Sequence, residues 1–189
     1  MLQLDQNPPM VYSGRTGGCQ LEAGDWDGPW LVAYCKPRQE KALAWDLHRR
    51  RASYFLPMVL RETSSGGRRR RNLYPLFPSY IFVAAGEAER LAALKTDRTV
   101  RLIEVDDAEQ DILRREMMAL ETALRVSPQS LELYPRLAIG ATVLVKSGPL
   151  KGVEGVVLQF GHKRKLWLGI TTLGVGATVE IHPDLVEPR

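Results

Sequence analysis

Apolar and polar positions alternate along this chain in two different rhythms, and the change falls near residue 127. Before it, strand-length apolar runs alternate with stretches at helical spacing. Trp30-Leu31-Val32-Ala33-Tyr34 is a continuous apolar and aromatic run closed off by Pro37, which predicts a buried strand. Ala42, Leu43, Trp45, Leu47 and His48 then recur among Lys41, Asp46, Arg49 and Arg50 as one face of a helix. Tyr54-Phe55-Leu56 predicts a second strand, ended by Pro57 and continued by Met58-Val59-Leu60. Glu62 to Gly67 reads as a hairpin tip, and Pro75 to Val83 as a proline corner feeding a third strand. Residues 87–94 read as helix and Thr99 to Val105 as strand. The clearest helix runs from Asp107 to Val126, where Ile112, Leu113, Met117, Leu120 and Leu124 recur at helical spacing and Asp106 or Asp107 is placed to cap it.

After residue 127 the helical period disappears. Residues 127–137, with Pro128 and Pro135, read as a linker. From residue 138 onward, glycines punctuate short runs of Val, Ile, Leu and Thr, which predicts five short strands closed into a small barrel. Residues 1–28 show no periodicity and read as a disordered leader. The fold class that follows is α+β: a sandwich of helices on an antiparallel sheet over residues 29–126, then a small all-β barrel over 138–189.

Composition narrows the function class. A chain of 189 residues with 25% charged content and a net charge of +4 is an ordinary globular protein whose basic groups matter through their placement. Cys19 and Cys35 read as unpaired thiols of a reducing cytoplasm. No run approaches the ~20 apolar residues of a membrane span, and the N-terminus lacks the pattern of a secretory signal. A soluble cytoplasmic protein is expected.

Three constellations carry candidate chemistry. Strand alternation puts Tyr80 and Phe82 on one face, with Phe77 entering from the proline corner and Tyr34 and Phe55 as candidate neighbours. Such rings form either an ordinary core or a pocket for a protein partner. Arg68, Arg69, Arg70 and Arg71 form either a solvated hairpin flank or a finger that tracks phosphates, with a second basic set in Lys36, Arg38, Lys41, Arg49, Arg50 and Arg51. Gly148-Pro149 and Gly152 to Gly155 fit the tight turn of a barrel hairpin. They do not fit a phosphate loop, because no Gly-Lys-Ser/Thr ending and no helix follow. His48, His162 and His182 lack metal-ligand spacing, and no nucleophile-base-orienter set is visible, so neither a cofactor nor catalysis is expected.

The segments Trp30-Leu31 through Tyr34-Cys35-Lys36, Leu56-Pro57-Met58 and Pro75-Leu76-Phe77-Pro78-Ser79-Tyr80-Ile81-Phe82-Val83 resemble the NusG family of transcription elongation factors, in particular its RfaH-like branch. The carboxy-terminal glycine pattern is similar to a KOW domain. The resemblance implies an amino-terminal NGN domain at 29–126 and an SH3-like KOW barrel at 138–189. It implies that Tyr34, Phe77, Pro78, Tyr80 and Phe82 bind the clamp helices of the largest RNA polymerase subunit. Lys36, Arg98 and the Arg68–Arg71 hairpin would then face upstream or non-template DNA. The KOW domain would recruit ribosomal protein NusE or Rho, with Leu173 standing where housekeeping members often carry an aromatic. A monomer without membrane contact is implied. Ser79 departs from the family's Phe-Pro-Gly-Tyr pattern, and Leu91-Ala92-Ala93-Leu94 departs from a His/Thr-rich polymerase contact. The competing readings are a KOW-type RNA- or ribosome-binding protein and a nucleic-acid-processing enzyme.

Overall fold

The computed structural model describes residues 6–19, 28–65, 68–129, 131–135, 142–160, 163–170, 173, 175–181 and 185–188. The chain forms two compact units, Met1–Gln110 and Asp111–Arg189.

The first unit is built on a five-stranded antiparallel sheet. Its strands are β1 (Val11–Tyr12), β2 (Trp30–Cys35), β3 (Tyr54–Phe55), β6 (Tyr80–Ala84) and β7 (Thr99–Ile103), in the order β1-β3-β6-β2-β7. Strand β2 is interior, between β6 and β7, and apolar at every position, because both of its faces are covered. Leu31, Ala33 and Cys35 point to the face that carries α1 (Glu40–Arg49) and α2 (Glu87–Leu94). There they meet Ile81, Val83 and Tyr54 from neighbouring strands and Leu43, Ala44 and Leu47 from α1. The three α1 residues recur at the i, i+1, i+4 spacing of one helix face, the stripe seen in the sequence. Full burial of each leucine contributes about 1.5–3 kcal/mol.

Opposite sheet partners fix the second face. Val32 pairs with Phe82, Tyr34 with Tyr80, and Phe55 with Phe82, so these rings line up on one side. The start of β2 is fastened by a side chain. Trp30 donates its N–H to Gln110 Oε1 at 2.8 Å, and Gln110 Nε2 donates back to the Trp30 carbonyl at 2.9 Å and to the Val105 carbonyl at 3.0 Å.

Strands β4 (Met58–Ser65) and β5 (Arg68–Pro75) form a separate two-stranded antiparallel hairpin with eight residue pairs. Glu62 to Ser65, expected as part of the tip, pair instead with Arg71 to Arg68 as strand, and residues 66 and 67 lie outside the described residues.

Residues 6–19 correct the expectation of a disordered leader. Val11 and Tyr12 pair with Phe55 and Tyr54, adding β1 to the sheet edge. Tyr12 is buried between His48, at 4.3 Å between ring centroids, and Tyr54, at 6.1 Å. The Tyr54 hydroxyl donates to the Pro9 carbonyl at 3.0 Å, and Leu56 N–H donates to the Met10 carbonyl at 2.7 Å. A two-residue strand has no period to read in sequence; its partner edge makes it a strand. Most of the remaining leader lies outside the described residues.

Helix α3 (Asp107–Val126) covers the expected span and buries Leu113, Met117, Leu120, Ala123 and Leu124, while Ile112 stays exposed. The second unit contains a six-stranded antiparallel sheet of β8 (Glu132–Pro135), β9 (Thr142–Val145), β10 (Glu154–Phe160), β11 (Lys163–Ile170), β12 (Val175–Glu180) and β13 (Val186–Pro188), in the order β13-β9-β10-β11-β12-β8. The five expected strands are thus joined by a sixth. Glu132 to Pro135, expected as linker, pairs with Val175 to Thr178. This all-β arrangement is consistent with an SH3-like domain. Two glycines of the predicted tight turn have positive φ: Gly148 and Gly152 both lie at 86°. Gly169 and Gly176 face each other across β11 and β12, and a Cβ on either would run into the Trp167 ring.

Candidate functional site: a tyrosine surface and basic flanks

The proline corner is a turn with a demanding backbone. Tyr80 N–H donates to the Phe77 carbonyl at 3.2 Å, with Pro78 and Ser79 between them. Pro78 supplies the fixed φ suited to the first central position. Ser79 at the second has φ +68°, as a type II turn requires. Glycine is the residue that tolerates this region, which gives a physical reason for the glycine of the resembled pattern. Here the turn is pinned from the helix side. The Ser79 N–H donates to Glu40 Oε1 at 2.7 Å, and Cys35 N–H donates to the Ser79 carbonyl at 2.8 Å. Glu40 is only 6% exposed, so its carboxylate depends on such donors. Burial, reinforced by Glu40, pushes the Cys35 thiol up to about 12, which keeps it protonated and unreactive. Ser79→Gly is expected to raise stability by about 0.5–1 kcal/mol, the relief of left-handed strain less the added chain entropy. A denaturant titration checks it; a stability loss would show that Ser79 is not strained.

Downstream of the turn, the aromatic set splits. Phe77 is 1% exposed and Phe82 0%. Their rings meet edge to face at 6.2 Å, and Phe82 stacks on Phe55 at 6.0 Å. The expected open hollow lined by Phe77 and Phe82 is therefore corrected: these two rings are core. Tyr34 and Tyr80 remain half-buried, with ring centroids 5.3 Å apart across the strands. Arg101 on β7 pairs with Tyr34 in register, and its guanidinium carbon lies 5.7 Å from the Tyr34 ring. Tyr80, Tyr34 and Arg101 thus form a row across three strands, with Pro78 exposed at the corner. Cation–π contact of this kind holds an arginine over a ring and leaves other ring surface open. The sequence reading missed Arg101, whose only signal was its alternation on β7.

The basic residues divide as well. Lys36 and Arg98 are brought together by the 2.9 Å bond from Lys36 N–H to the Arg98 carbonyl. With Arg50, Lys95, Asp46 and Asp97 they line a cleft of about 530 Å³. Arg98 is anchored rather than free: its Nε donates to Asp46 Oδ2 at 2.7 Å, and its Nη1 donates to Gln39 Oε1. Lys36 is exposed. On the hairpin, Arg69, Arg70 and Arg71 are exposed, and Arg71 pairs with Glu62 at 2.5 Å. The side chain of Arg68 lies outside the described residues. Leu173 is half-buried between β11 and β12.

A helix-flanked antiparallel sheet with this proline corner defines a class of small α+β domain. Residues 28–121 match the family model described as transcription termination factor nusG. No curated protein matches the chain. Among solved structures, the chain is similar to NusG of Thermotoga maritima, in a structure titled for its domain interaction, at 16% identity over 85% of this chain and 96% of that one, with a TM-score of 0.43. It is also similar to a chain of the MjSpt4:Spt5 complex at 15% identity, over 84% and 95%, with a TM-score of 0.27. Among the described residues, no helix is long and apolar enough to cross a membrane.

Proposed function

We propose that this chain is a transcription elongation or antitermination factor of NusG type, acting on RNA polymerase by binding and not by catalysis. The observation that carries the reading is the match of residues 28–121 to the NusG family model, which spans both the β2 run and the proline corner. In this reading the clamp helices of the largest polymerase subunit lie on the surface of Tyr34, Pro78, Tyr80 and Arg101. Phe77 and Phe82 stiffen that surface from below. Preferential binding to the closed polymerase would hold it in its processive state. The basic cleft and the hairpin face upstream or non-template DNA. The all-β sheet acts as a KOW domain that recruits a partner such as NusE or Rho near Leu173, and the cytoplasm is the compartment where such a factor works. The RfaH-like branch, and with it operon-specific action, is the finer form of the proposal.

Co-elution of the purified chain with RNA polymerase is the test. A stable complex and a changed elongation rate on a defined template are expected; separate elution of the two would sink the reading. One observation favours a second reading. Burial of Phe77 and Phe82 also suits a KOW-type RNA- or ribosome-binding protein whose aromatic set is core, and that protein would elute with RNA and not with polymerase.

A further inference from the structure

The arginine hairpin has two unlike faces, and the run Arg68 to Arg71 does not act as one patch. Residues paired directly across an antiparallel hairpin share a face, and neighbours along a strand alternate. Glu62 pairs with Arg71 in register, and Arg69 lies on the same side two residues along. That face carries its own carboxylate, 2.5 Å from Arg71. The opposite face holds Arg61 beside Asn72, with Arg70 as its diagonal neighbour and Tyr74 two pairs nearer the base. Arg61 and Arg70 are exposed and have no carboxylate partner among the described residues.

Two cations share the Tyr74 ring. Arg61 lies 5.9 Å from its centroid, and Lys41 of α1 lies 5.9 Å from it as well. Lys41 also donates to the Leu73 carbonyl at 2.5 Å, tying the hairpin base to the helix. Partial burial holds the Lys41 ammonium below the usual lysine range, as fits a group that positions the hairpin. Contact with the Tyr74 ring biases the orientation of Arg61 before any ligand arrives, which lowers the ordering cost of binding.

We propose that the Arg61–Arg70 face, held by Tyr74 and Lys41, is a phosphate-backbone site for nucleic acid, and that the Glu62–Arg71 face is not. This deepens the reading of the hairpin as a nucleic-acid-facing finger and rests on it. The shared ligand chemistry is a row of phosphodiesters, from either a displaced single strand or a duplex. Bidentate arginine suits that chemistry and carries no sequence preference.

The experiment measures fluorescence anisotropy of a short labelled mixed-sequence DNA strand, the matching RNA and the duplex, over a salt series with the full chain. Arg61→Gln with Arg70→Gln is expected to weaken binding at low salt by tenfold or more. The slope of log affinity against log salt should become shallower by about 1.4 on single strands or about 1.8 on duplex, because two phosphates are no longer neutralised. Arg69→Gln with Arg71→Gln should cost about threefold or less, and Arg61→Lys with Arg70→Lys should keep most of the slope. Unchanged melting curves confirm that the variants fold. Equal losses from the two faces, or no oligonucleotide binding at all, overturn the inference. A chain that co-elutes with polymerase but shows no face preference overturns this inference alone. Face-specific binding without polymerase co-elution overturns the functional reading and leaves this one standing.

Discussion

Phe82→Ala is expected to lower stability by about 3–5 kcal/mol, a large share of the ~5–15 kcal/mol that holds a domain together. The ring is fully buried, stacks on Phe55 and meets Phe77 edge to face, so its removal leaves a cavity walled by β3 and the proline corner. A thermal melt should move down by more than about 10 °C, taking several degrees per kcal/mol for a domain of this size. A variant that melts like the parent while losing polymerase would show that Phe82 is a contact residue, and the core assignment would be wrong. Phe77→Ala, equally buried, should behave alike.

Tyr80→Ala should do the reverse. The ring is half-buried and its packing partner is Tyr34 at 5.3 Å, so truncation removes one aromatic pair worth about 0.5–1.5 kcal/mol beyond area. If the row of Tyr80, Tyr34 and Arg101 meets the clamp helices, the same change should weaken polymerase binding about tenfold to a hundredfold, the range of an aromatic hot spot. Binding measured by titration of labelled chain against polymerase, beside a melting curve, separates the two effects. Lost stability with unaltered affinity would move the polymerase contact elsewhere. Arg101→Ala should also weaken binding without lowering the melt, because its guanidinium lies at the surface over Tyr34.

The contrast between these neighbours shows where sequence reasoning stops. Alternation places Tyr80 and Phe82 on one face, and the sheet confirms that parity. It does not say how far each ring is covered. Strand β3 is two residues long and pairs with Val83 and Phe82 only, so Phe82 is flanked on both sides while Tyr80 lies beyond the end of that strand. The same holds for the arginines. Four in a row are plain in the sequence, but only the register sets Glu62 beside Arg71 and leaves Arg61 and Arg70 together on the other side. Arg98, expected to face DNA, is handed by the fold to Asp46, 52 positions away in sequence. Val11–Tyr12 and Glu132–Pro135 became strands because an edge was there to receive them.

What the sequence determined by itself was whatever depends on near neighbours in the chain. The all-apolar β2, the long periodic stripe of α3, the positive φ at Gly148 and Gly152 and the proline corner belong here, because helix period, strand alternation and turn torsions act within a few residues. The tertiary structure alone decided which rings are sealed, which cations are already neutralised and which carboxylate, Glu40, is buried against a turn 39 positions away. Burial and charge pairing are set by groups that only folding brings within contact, and no local pattern encodes them.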